Sequence, residues 1–292
     1  MRLDASLTEV NRPSGEALAP DHTFQDTLGI YLRLLGIQIR SQLQYRTAYL
    51  FELATTGLIT ILEFGALALV FTRFGDIRGW SLGEVAFLYG LVEISFGLMD
   101  LFFSGFDPDR FSQRVRLGTF DQLLLRPVDI TVQILGSEFV IRRIGRVIVG
   151  AGIFLFALAL TEIQWTTPKL ALLPVMVASM IGYFGGLFII GSTITFWTVE
   201  SVEVVNVFTY GGSLVISYPM HIYQDWMRRF FTYILPAIFL NYYPALYILG
   251  KPDPYNLPAY APLLAPVAGS VVFLASLAFW RFGVRHYKST GS

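Results

Sequence analysis

Three carboxylates stand in surroundings that offer a charge little company: Glu63, Glu93 and Asp100 each lie within a long apolar run. Ionised groups in such runs are costly to bury, so they mark a polar network or a path for a charged solute. Glu52 and Glu63 are eleven residues apart, three helical turns, and Glu93 and Asp100 are seven apart. Each pair therefore shares a helix face. At ~1.5 Å per residue, Glu63 and Glu93 fall at a common depth of roughly 14 Å in their runs. The expectation is a polar seam between the first two apolar helices, bordering a translocation cavity. The alternative is a structural network completed by Thr56, Thr60 and Ser95 or by another subunit. Tyr210 opens a late aromatic-rich stretch whose rings could stack on a planar or cationic solute. An interfacial aromatic belt accounts for the same density.

Enzyme chemistry has little support. His22, His221 and His286 are widely separated, cysteine is absent, no HExxH or GxGD pattern occurs, and the letters GxSxG occur only at Gly79-Trp80-Ser81-Leu82-Gly83, with no histidine nearby in sequence. No GxxxxGK[ST] loop is present either, since Gly250-Lys251 is followed by proline. If ATP drives this protein, another chain must hydrolyse it.

The elements that carry these residues are membrane elements. Of the 292 residues, 54% are hydrophobic and 14% charged, and mean hydropathy is +0.57, well towards lipid for a chain of this size. Twenty-one basic residues balance twenty-one acidic ones, so nothing favours a nucleic-acid partner. Residues 1–23 read as a polar cytoplasmic tail without the apolar core of a signal peptide. Residues 24–46 read as an amphipathic interfacial helix, with Leu28, Leu32, Leu35, Ile39 and Leu43 on one face. Apolar stretches follow at 47–72, 83–104, 144–164, 170–199, 202–220, 230–249 and 260–282.

The stretch at 230–249 holds Pro236, Asn241 and Pro244, which suits a broken hairpin that enters and leaves on one side. With six spans and both termini inside, fifteen basic residues fall on the cytoplasmic side and six outside, as the positive-inside rule requires. A seventh span would export Arg281, Arg285 and Lys288. The expected fold is an all-α polytopic membrane protein with six transmembrane helices and a re-entrant segment at 221–258. Residues 47–292 then form one membrane domain. Gly182 and Gly186 form a GxxxG pair, read as packing.

Residues 105–139 are the long internal polar segment. Asp107-Pro108 is helix-start chemistry. Phe111, Val115 and Leu117 then form an apolar edge among Arg110, Arg114 and Arg116, and Gly118-Thr119-Phe120-Asp121-Gln122-Leu123-Leu124-Leu125-Arg126-Pro127 follows. The expectation is a short helix pair under the membrane, with Phe111, Phe120, Leu123 and Leu124 as apolar knobs for a groove on a soluble partner. Arg114, Arg116 and Arg126 would pair with the partner's carboxylates. An ordinary basic loop is the plain alternative.

The run from Gly118 to Pro127 resembles the cytoplasmic coupling segment of ABC type-2 export permeases. Tyr218-Pro219-Met220-His221-Ile222-Tyr223, Ile234-Leu235-Pro236 and Tyr243-Pro244-Ala245 resemble the extracellular hairpin before the last span in those proteins. The branch most resembled is that of the viologen exporter permeases. The resemblance implies a permease without catalytic residues or a cofactor of its own, coupled to a dimer of ABC-type ATPases that bind ATP and Mg. Asp107, Phe111, Arg114, Arg116, Gly118, Phe120, Asp121, Leu124, Arg126 and Pro127 would carry that coupling. It also implies a second permease subunit, related or identical, in the bacterial cytoplasmic (inner) membrane. An amphipathic, hydrophobic or cationic solute would leave the cytosol or inner leaflet. The competing reading is a secondary transporter or channel working without ATP. Internal repeats common in such transporters are not evident, and the midchain segment suits a soluble motor.

Overall fold

A computed structural model describes residues 24–44, 46–200, 203–255, 258 and 260–289; the polar tail expected at 1–23 lies outside the described residues. Among these residues every regular element is helical, apart from one isolated bridge between Ile77 and Trp80. Five helices are long and apolar enough to cross a membrane, and six crossings result if a bent helix pair is counted as one. The long helices are the first (Arg46–Phe74), second (Leu82–Phe103), third (Ile144–Leu160), fourth (Thr167–Thr198) and last (Ala265–His286). Their boundaries follow local chemistry. Ser81 and Glu84 form a reciprocal capping box at the start of the second helix, and proline occupies the first turn of the fourth and last.

The fifth apolar stretch departs from expectation. In place of a span over 202–220 there is a shorter helix, Glu203–Ile216, about 21 Å long at the usual rise. A π-turn at Val207–Gly211 interrupts it. Pro219 ends it, because proline disfavours helical geometry at the residue before it.

The bent pair is Asp225–Ile234 with Ala237–Leu249, meeting at 82° around Leu235-Pro236. His221 before it and Lys251 after it both lie against Trp80. The chain thus enters and leaves this hairpin at one end of the bundle. Its deep part is fixed by buried Asn241, whose Nδ2 donates to the carbonyls of Leu88 (3.2 Å) and Ile216 (2.9 Å).

The second helix is the axis of the molecule, buried along most of its length, whereas the first is exposed on most of its surface. Small residues let the second and third helices touch backbone to backbone. A Cβ placed on Gly90 would stand 2.7 Å from the Phe154 nitrogen, and one on Gly150 would stand 2.7 Å from the Glu93 Cβ. Gly186 of the GxxxG pair packs within the chain, against Val272 and Phe273 of the last helix.

Candidate functional site

Two groups of residues stand out, one at the end of the bundle that carries the 105–139 segment and one within the bundle beside it. In the segment, Asp107 caps the helix Pro108–Arg116, its Oδ1 accepting from Asp109 N at 3.1 Å. Gly118, with φ of 66°, turns the chain through the left-handed region into the helix Thr119–Leu124. A third helix, Ile130–Ser137, is capped by Asp129. Gly105 permits its close approach, since a Cβ there would collide with the Ile134 carbonyl.

Phe111 and Phe120 are fully buried, which corrects the expectation that they face a partner. They form an aromatic box with Phe106, Phe196, Trp280 and Tyr287. Phe120 lies 5.0 Å from Phe196 and 4.9 Å from Tyr287, and Phe111 lies 5.7 Å from Trp280, centroid to centroid. Bringing the end of the last helix under the segment makes this possible: Ser289 Oγ donates to Asp121 Oδ2 at 2.6 Å. Burial, with the Asp121 carboxylate nearby, pushes the Tyr287 hydroxyl up to about 12.

Arg114 is likewise engaged internally. Glu138 receives Arg110 Nη1 at 2.5 Å and Arg114 Nη2 at 2.7 Å, and Arg114 also donates to Ser137 Oγ at 2.7 Å. The apolar surface left outside is Leu117 (66% exposed), Leu124 (43%) and Leu125 (86%), with Leu123 partly covered. Arg116, Arg126 and Pro127 share that outer surface. Helix Phe24–Leu43 is pinned to the same region. Gln38 donates to the Ser137 carbonyl at 2.7 Å, and Gln42 bonds to both the Phe139 carbonyl and the Ile141 nitrogen.

Within the bundle, the carboxylates of the second helix meet arginines at the start of the third. Glu93 and Arg146 form a two-pronged pair, Nε to Oε2 at 2.5 Å and Nη2 to Oε1 at 2.8 Å. The Arg146 guanidinium also lies 4.6 Å over the Phe96 ring. Arg143 Nη1 stands 2.5 Å from Asp100 Oδ2, an ion-pair distance at an angle unlike that of a hydrogen bond, and Asp100 Oδ1 accepts none. The Tyr210 hydroxyl lies beside Arg143. Arg142 reaches Glu52 on the first helix at 3.8 Å.

Glu63 differs from the other two. It is exposed, and its Oε2 accepts from the Tyr89 hydroxyl at 3.3 Å. With Thr56, Thr60, Glu93, Arg143, Arg146, Tyr210 and Ser213 it lines a cavity of about 290 Å³ among the first, second, third and fifth helices. The cavity can hold a small charged group against Glu63, while the paired charges fix its wall. Among the described residues no group of three or more His, Cys, Asp or Glu could hold a metal ion.

A family profile described as ABC-2 family transporter protein matches residues 58–291, most of the chain and all of the elements just described except the pinned helix Phe24–Leu43 and the start of the first long helix. The chain belongs to the ABC-2 transporter family. It is thus a membrane component of an ABC transporter, and its apolar helices make it a multi-pass membrane protein. Among curated proteins, none matches this ABC-2 permease.

Sequence reasoning placed Glu63, Glu93, Asp100 and Tyr210 together, and the permease brings all four to one region. It missed the partners. Arg143 and Arg146 count among the fifteen basic residues of the cytoplasmic side, yet they begin a helix whose polar face turns inward. Their spacing of three, just ahead of an apolar run, is the signal that could have revealed this. Without these two the six-span partition of the sequence still sets thirteen basic residues against six. Glu138, Trp280 and Tyr287 carried no comparable signal, because their roles arise from contacts across long stretches of chain.

Proposed function

We propose that this permease exports an amphipathic, hydrophobic or cationic solute from the cytosol or inner leaflet, driven by a separate dimer of ABC-type ATPases that bind ATP and Mg. In this reading the end bearing the 105–139 segment faces the cytoplasm of a bacterial inner-membrane protein, with both termini on that side. The hairpin end faces out. A second permease subunit, related or identical, completes the pathway beside the sparsely covered first helix. The resemblance to viologen exporter permeases supports the export direction.

The observation that carries the reading is the continuity between the coupling segment and the cavity. Leu117, Leu124 and Leu125 offer an apolar footing for a soluble motor. Behind it, Glu138 ties the coupling helix to residues 137–141, and these run directly into Arg142, Arg143 and Arg146. A push on the segment reaches the cavity wall through covalent chain and ion pairs rather than through loose loop.

Replacing Leu124 and Leu125 together by alanine tests the footing without touching the aromatic box. The expected result is a folded permease that retains little co-purifying ATPase and exports poorly. Unchanged ATPase recovery and transport would remove the footing from the mechanism. An active preparation that reproducibly lacks any ATPase would replace the reading with an ATP-independent transporter. A cysteine at Lys288, the chain having none of its own, checks sidedness: an impermeant thiol reagent should leave it unlabelled in intact cells.

A further inference from the structure

At the hairpin end, the turn after the first helix and the chain entering the hairpin are joined through one imidazole. His221 Nε2 lies 3.3 Å from the Arg78 carbonyl, and Nδ1 lies 3.3 Å from the Tyr242 hydroxyl. A carbonyl can only accept, so Nε2 carries the proton and Nδ1 accepts from Tyr242. The connection is doubled by Arg78 Nη1, which donates to the His221 carbonyl at 2.6 Å. Arg78 holds this position at φ of 50°, a conformation rare for a residue with a side chain. The imidazole stacks on Trp80 at 6.0 Å, and Trp80 stacks in turn on Tyr242 at 5.8 Å.

A cavity of about 400 Å³ lies here, but its aromatic walls are occupied from within. Lys251 Nζ sits 4.9 Å over the Trp80 ring while bonded to Glu84 at 2.7 Å and to the Gly79 carbonyl at 2.9 Å. The arrangement therefore fastens two chain segments rather than offering rings to a solute.

We propose that His221 is the pin of a pH-sensitive latch: neutral, it fastens the hairpin to the turn at residues 76–80, and protonated at Nδ1 it lets the hairpin go. A proton on Nδ1 turns that atom from acceptor to donor, so the bond from Tyr242 must reverse and the hydroxyl proton must find another acceptor. It also creates a cation among cations. Arg78 faces the ring from the turn, and Lys251 faces it from the chain leaving the hairpin, with its charge shared by Glu84 at the start of the second helix. Asp76 is occupied by the Gly79 nitrogen. Tyr255, Tyr243, Asp253 and Arg228 interact electrostatically with the Tyr242 hydroxyl. Burial first, then the Arg78 and Lys251 charges, lower the His221 pKa, against the opposing bond to the Arg78 carbonyl.

The sign follows. A depressed pKa in the closed state means that the latch is intact above the ordinary histidine value and weakens as pH falls. Opening should rise as pH drops below about 6.5, by at most about tenfold per unit, and level off below the closed-state value. The latch is independent of which side the hairpin faces; only its exposure to external pH rests on the orientation proposed above.

The test uses purified permease in nanodiscs, where sidedness plays no part. A cysteine at Leu246, a buried residue lining the same cavity, is labelled with a maleimide alongside one at exposed Asp225. The rate ratio between the two sites cancels the common effect of pH on thiols. The ratio should rise severalfold between about pH 7.5 and about pH 5. It should stay low in His221→Gln, which keeps a donor and an acceptor but does not titrate. Tyr242→Phe should raise it already at the higher pH. A ratio indifferent to pH, or one that rises equally in His221→Gln, overturns the proposal. Should Leu246→Cys impair folding, the thermal midpoints of the unmodified permease and His221→Gln decide the matter. The latch requires their difference to change as pH falls through the same window, and a constant difference defeats it.

Discussion

The two ends of the permease are fastened by different chemistry. At the end that carries the 105–139 segment, full charges and buried rings do the work: Glu138 grips two arginines, Arg143 and Arg146 grip Asp100 and Glu93, and four aromatic side chains close around Phe120. At the hairpin end, Arg78 reaches the His221 carbonyl at 2.6 Å and Lys251 reaches Glu84 at 2.7 Å, but a titratable imidazole with two bonds of 3.3 Å stands between the segments. Buried ion pairs become strongly destabilising when one partner is removed, whereas a neutral hydrogen bond contributes about 0.5–1.5 kcal/mol net. On the two proposals above, one end transmits force and the other lets go.

The largest effects should come from breaking the rigid end. Glu93→Gln or Asp100→Asn strands a partly buried arginine and should cost up to roughly 3–5 kcal/mol, seen as lost folded yield in detergent. Changing Glu93 and Arg146 together to glutamine should restore much of that yield, because no charge is left alone. Phe120→Ala empties the centre of the aromatic box at a similar cost, roughly 3–5 kcal/mol, read as a fall in thermal midpoint. Full stability in that variant would mean that the box does not hold the segment.

Glu138→Gln should be milder, about 1–3 kcal/mol, with the export rate falling more than stability does because the segment loses its grip on residues 137–141. Tyr242→Phe at the hairpin end should cost no more than about 1.5 kcal/mol. Smallest of all in stability is Glu63→Gln, expected within ±0.5 kcal/mol as an exposed change. Its effect should fall on transport, with uptake or efflux of a cationic solute reduced in a folded, ATPase-bound permease. Wild-type transport would take Glu63 off the path.

Much of this contrast could be read in the sequence, but unevenly. Helix positions followed from apolar runs, the Asp107-Pro108 start from capping chemistry, and the bend at Leu235-Pro236 from proline. The facing of Glu93 and Asp100 followed from helical spacing. What stayed hidden depended on contacts between distant parts of the chain. Phe120 looks like an exposed knob until Trp280 and Tyr287, far along the chain, arrive beneath it. Arg146 looks like a loop charge until the close approach at Gly90 and Gly150 brings its helix against Glu93. The fifth stretch is apolar enough for a span, and only its π-turn and Pro219 shorten the helix.

That close approach has a mechanical consequence. Two rods joined only at their ends bend separately, but two rods bonded along their length bend as one beam, and stiffness grows steeply with thickness. The glycines between the second and third helices remove the compliant layer of side chains that would let one slip over the other. Displacement delivered at Glu138 should then arrive at Glu93 with little loss to flexure, as a tilt of the whole beam. Enlarging Gly90 to alanine would insert a soft shim into it, and the permease should hydrolyse ATP through its partner while moving less solute per cycle.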